Sequence, residues 1–166
     1  MTATFINSFI LFFVTIDTIG NLPFFLSLTE GAKIKKKNQI ALKSVIIAFF
    51  IMITFAYLGR YLLEAIHVSL DSLKIAGGVI LMFLAIDILF EKRKIRREKR
   101  VEEALDEKNF EEIIVFPIAF PFIAGPSALT TIILLIGNYT NFPEFQVPVI
   151  LALVAALIVS LVLMVG

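Results

Sequence analysis

The stretch TFINSFILFFVTIDTIGNLPFFLSLT, residues 4–29, carries a single charged residue, Asp17, in a run otherwise made of apolar and small polar side chains. A membrane span needs about 20 predominantly apolar residues, each rising 1.5 Å, to cross roughly 30 Å of hydrocarbon. Four further stretches meet that requirement, at approximately 40–59, 70–90, 113–137 and 147–166. The expected fold is an all-α integral membrane protein, a polytopic helical bundle of five spans forming one transmembrane domain over residues 1–166.

Composition points the same way. Hydrophobic residues make up 59% of the chain and the mean hydropathy is +0.95, against the roughly 45–50% apolar share of a soluble domain. The first apolar segment opens with Met1-Thr2-Ala3-Thr4, with no basic region and no small-residue cleavage site, and so reads as a retained helix rather than a signal peptide. The net charge of +1 and the absence of any basic stripe outside the loops argue against a nucleic-acid partner. Without cysteine, and with His67 alone, the chain has no disulfide framework, no thiolate site and no histidine cluster. No metal and no cofactor are expected.

Charge sets the orientation. The first connection carries Lys33, Lys35, Lys36 and Lys37, with Lys43 just inside the second span. The third, 91–112, carries Lys92, Arg93, Lys94, Arg96, Arg97, Lys99, Arg100 and Lys108. Only Arg60 and Lys74 fall elsewhere. Cytoplasmic loops are those rich in Lys and Arg, so the N-terminus is expected outside and loops 31–38 and 91–112 in the cytoplasm. Tyr57, Tyr61 and Tyr139 then sit at the outer ends of spans, as an interfacial aromatic belt requires.

Two spans are interrupted. Asp17-Thr18-Ile19-Gly20-Asn21-Leu22-Pro23 breaks the first, and Pro121-Phe122-Ile123-Ala124-Gly125-Pro126-Ser127 breaks the fourth. Proline removes a helical donor and clashes with the preceding turn; Asn21 reads as the cap of a new helix start. Each span should be two half-helices, one restarting near Asn21 and one near Pro126. Irregular backbone at membrane depth is tolerated where it is buried in protein or lines a cavity. The helix N-termini suit a carboxylate and the opposed carbonyl ends suit an ammonium group. Three crossings separate the two spans, so they run in opposite directions, the pattern of an inverted three-plus-three repeat and a pointer to a transporter site. The competing reading is a pair of ordinary kinks.

The candidate substrate-binding residues are Asp17, Gly20, Asn21, Pro23, Pro121, Gly125, Pro126, Ser127 and Thr130. Asp17 is the ionisable residue near the centre of a span, where a carboxylate costs about 2.5–3.5 kcal/mol on insertion scales; it should face a cavity, a partner or a proton, or else accept N–H bonds from the broken backbone. Asp87 lies near the cytoplasmic end of the third span and can reach the surface. Thr130 and Thr131 can line the cavity or bond back to their own helix.

At these residues the sequence resembles the MarC family of bacterial and archaeal inner-membrane proteins. The likeness spans essentially the whole chain. It rests on Asn21-Leu22-Pro23-Phe24-Phe25, on Leu73-Lys74-Ile75-Ala76-Gly77-Gly78, and on Phe116-Pro117-Ile118-Ala119-Phe120-Pro121 followed by Ala124-Gly125-Pro126. The resemblance implies six helices in a three-plus-three repeat, distant similarity to LysE-type amino acid exporters, and proton-linked carriage of glycine, alanine and other small neutral amino acids across the cytoplasmic membrane. It also implies a sixth helix, which a chain stopping at Gly166 would lack. The expected function is therefore secondary transport of a small zwitterionic amino acid, with protons and the lipid bilayer as the other partners and no enzymatic turnover. The alternatives are a channel or accessory membrane protein, and an intramembrane aspartyl hydrolase using Asp17 and Asp87.

Overall fold

The computed structural model describes residues 1–65, 67–69, 72, 75, 79, 82, 111–139 and 141–165. Most of the expected third span, Asp87 and nearly all of loop 91–112 lie outside the described residues. Helix α1 spans Thr2–Ile16 and α2 spans Thr18–Leu28. Helix α3 runs over Ile34–Ala65. A wide-turned segment, Ile114–Ile123, leads into α4, Pro126–Asn138, and α5 spans Pro143–Val165.

Among the described residues, three stretches are long and apolar enough to cross a membrane: Thr2–Leu28, Ile34–Ala65 and Pro143–Val165. The pair Ile114–Ile123 and Pro126–Asn138, bent by 59°, makes a fourth if it is one span. The protein is a polytopic helical membrane protein. The second helix is longer than its apolar core: at 32 residues α3 reaches about 48 Å at 1.5 Å per residue. Lys35, Lys36 and Lys37 therefore stand on its first turn, and the first connection is shorter than the expected 31–38.

The burial pattern is that of a bilayer solvent. Ile10, Val14, Phe50, Leu151, Ile158 and Val162 are exposed, whereas Ser8, Thr15, Thr18, Asn21, Ser44, Ser127 and Ser160 are buried. Between helices in lipid there is no hydrophobic drive, so close packing of small residues and interhelical hydrogen bonds hold the bundle. Ala152, Ala156 and Ser160 recur every fourth residue on the buried face of α5, and α5 makes its most extensive contact with α1. Gly59 brings α3 against α4: a Cβ there would lie 2.6 Å from Ile133 Cγ1. Ser44 of α3 donates to the Ile114 carbonyl at 3.0 Å. The far ends of α3 and α4 meet around a cavity of about 440 Å³ lined in part by Tyr57, Arg60, Tyr61, Gly137 and Gln146. The two helices therefore end on the same side of the bundle.

Candidate functional site: two helix breaks that meet

The first break is a single residue. Asp17 takes φ 51°, ψ 52°, ending α1 and starting α2. Asp is among the few L-residues that visit this left-handed region readily, because its short polar side chain bonds locally. Asp17 Oδ1 accepts the Gly20 N–H at 3.3 Å, the geometry of an N-cap. A Cβ on Gly20 would sit 2.5 Å from Asp17 Oδ2, so a larger residue there would displace the capping carboxylate. The helix thus restarts at Thr18, not near Asn21 as the proline suggested, and the cap is Asp17. Asn21 lies inside α2 and is 2% exposed. Pro23 is accommodated further along α2 with its ring exposed.

The second break is longer. Phe116 and Phe120, each followed by a cis proline, adopt extended backbone angles within Ile114–Ile123. The Ala124 N–H closes a wide turn onto the Ala119 carbonyl at 2.9 Å. Gly125, at φ −75° and ψ 170°, caps α4, and Pro126 opens it, where the fixed φ of proline is preorganised and its missing N–H costs nothing. A Cβ on Gly125 would lie 2.6 Å from the Pro121 carbonyl oxygen. Because Pro126 has no N–H, the Phe122 carbonyl four residues earlier has no α-helical donor.

That donor comes from the other break. Asn21 Nδ2 donates to Phe122 O at 2.8 Å and to Ile16 O at 2.7 Å. In return, Ser127 Oγ donates to the Thr15 carbonyl at 3.0 Å. Each break thus satisfies a main-chain carbonyl of the other, and the Phe24 and Phe122 rings meet across them at 6.0 Å. Beside the joint, Ser160 Oγ donates to Ala156 O at 3.0 Å, leaving it to accept from the Thr18 hydroxyl at 2.5 Å. Asn21 Oδ1 is the one buried side-chain polar atom without a partner among the described residues.

The candidate residues divide accordingly. Asn21 and Ser127 make the joint; Asp17, Gly20 and Gly125 shape it; and Pro126 removes the donor that Asn21 replaces. Pro121 approaches Gly125 through its carbonyl. Pro23 is exposed, and Thr130 turns its hydroxyl back onto Pro126 O at 2.8 Å, as Thr131 does onto Ser127 O at 2.9 Å. Thr15, Thr18 and Ser160 escaped the sequence reading. For Ser160 the fourfold spacing with Ala152 and Ala156 was the available signal.

A family model described as MarC family integral membrane protein matches residues 2–166. The chain belongs to the MarC family. A UPF0056 membrane protein of Archaeoglobus fulgidus is 37% identical over 159 residues, 95% of this chain and 72% of that protein. The UPF0056 membrane protein YvbG of Bacillus subtilis is 30% identical over 145 residues, 87% of this chain and 69% of its own length. YhgN of Escherichia coli, 29% identical over 82% of this chain and 66% of that protein, is named a UPF0056 inner membrane protein. No solved structure matches.

Proposed function

We propose that this MarC-family protein is a secondary transporter of small neutral amino acids, coupled to protons, with its substrate site where the two breaks meet. The observation that supports the reading most is the reciprocal bonding of Asn21 to Phe122 O and Ser127 to Thr15 O in the buried core. Discontinuous helices facing each other near the midplane are how inverted-repeat carriers build a site. The N-terminal end of α4 offers main-chain N–H groups and a positive dipole end to an α-carboxylate. Carbonyl oxygens at the end of α1, with the half-buried Asp17 carboxylate, suit an α-ammonium group, and Asp17 is the group available to carry a coupling proton.

In this reading the two halves are an inverted repeat in the cytoplasmic membrane. The N-terminus is outside, and the lysine-rich start of α3 and the 91–112 loop are inside. Purified protein in proteoliposomes tests it: uptake of glycine or alanine should saturate and show counterflow. Flux without saturation or counterflow would make the protein a channel, and no flux of any amino acid would overturn the substrate assignment.

A further inference from the structure

The Asn21 carboxamide is held by two carbonyl oxygens, Ile16 O at 2.7 Å and Phe122 O at 2.8 Å. Two acceptors on one side fix which end of the amide faces them, because only the NH₂ group can donate to both. The free end is therefore the oxygen. Asn21 Oδ1 is buried and without a partner, at the joint of two broken helices and within a turn of the Asp17 carboxylate. A lone acceptor in a dry site repels an anion and is complementary to an N–H or O–H donor.

We propose that Asn21 Oδ1 accepts a hydrogen bond from the ammonium group of the transported substrate, which makes Asn21 the residue that requires at least one N–H on it. The proposal rests on the transporter reading and assigns an atom within it. With the breaks together Oδ1 is enclosed, so the substrate reaches it as they part and the bond to Phe122 O is given up. The bond to Ile16 O, on the same broken helix, keeps the amide oriented while that happens. A site built to bond an N–H discriminates strongly against an analogue that lacks it, because the acceptor is then left desolvated and unpaired.

The test is a series of ligands on the wild-type protein: glycine, N-methylglycine, N,N-dimethylglycine and betaine, which keep the carboxylate and the positive charge while losing N–H groups one at a time. Competition against glycine counterflow in proteoliposomes gives their relative affinities. The expected result is a modest decline through the first three and a single drop of about tenfold or more at betaine. An even decline with each methyl group would mean simple crowding and overturns the proposal. Equal binding of glycine and betaine, as when water alone satisfies Oδ1, overturns it too and leaves the transporter reading standing. Failure of every amino acid to exchange overturns both. Asn21→Leu, close in size but without the acceptor, adds a second arm: glycine should fall to within about threefold of betaine. A glycine preference that survives in a folded Asn21→Leu protein contradicts the assignment.

Discussion

Replacing Asn21 with leucine removes the strut between the breaks at nearly constant volume. Two donors disappear, and Ile16 O and Phe122 O, bonded at 2.7 and 2.8 Å, lose their side-chain partner. Pro126 lacks the N–H that would bond Phe122 O in a regular α-helix. Interhelical hydrogen bonds in membranes contribute about 0.6 kcal/mol on average and up to roughly 1.7, so two of them set a loss of about 1–3 kcal/mol. Removing the unpaired Oδ1 gives back the desolvation of one buried acceptor, and the loss of a donor at Ile16 O and Phe122 O offsets that gain. The expected net destabilisation is about 1–2 kcal/mol. Reversible unfolding in mixed micelles, followed by helical circular dichroism at fixed lipid-to-detergent ratio, measures it. A change below about 0.3 kcal/mol, half of one average membrane hydrogen bond, or a more stable variant, would refute the claim that the amide holds the joint.

Asp17→Asn should leave stability within about 0.5 kcal/mol, since Asn and Asp cap helices comparably, yet abolish or uncouple uptake; wild-type rate and pH profile in the mutant would return Asp17 to a purely structural role. Gly125→Ala should destabilise by about 1–3 kcal/mol, as overpacking does, because its Cβ would stand 2.6 Å from a main-chain oxygen; a neutral result in the same unfolding assay would mean that the turn is looser than described. Ser127→Ala should cost about 0.6–1 kcal/mol and combine non-additively with Asn21→Leu, the two acting on one joint; strict additivity would separate them. Cysteines introduced singly at Lys35 and at Lys99 should react only with membrane-permeant maleimides in intact cells, a clean experiment in a chain without native cysteine; labelling of either by an impermeant reagent would invert the topology.

Helical spans were legible because the bilayer imposes length and apolarity on each one, and Pro126 marked the start of α4 because proline is preorganised at a first turn. The position of the first break was not legible. Pro23 drew the boundary toward Asn21, yet it stands inside α2 as an exposed residue, while the turn depends on a backbone angle at Asp17 that side-chain type only permits. The reach of α3 past its apolar core was missed for a related reason: lysines continue a helix beyond the hydrocarbon as readily as they end it. The existence of two breaks followed from Gly and Pro, but the pairing of Asn21 with Phe122, 101 residues apart, is a tertiary fact that no local pattern encodes. Asn21 looked like a cap, and its chemistry is the same, an amide serving an orphaned main-chain group, carried out on another segment.

The most direct test of the central claim, that the two breaks form one joint, is cross-linking of Thr15→Cys with Ser127→Cys in native membranes by a short bifunctional thiol reagent. Ser127 Oγ reaches the Thr15 carbonyl at 3.0 Å, which sets the two residues within the span of a short bifunctional linker. The account predicts efficient cross-linking for this pair and none for a control pairing Thr15→Cys with a cysteine at Asn138, at the far end of α4. A Thr15–Ser127 pair that stays uncross-linked while both cysteines remain reactive would contradict it.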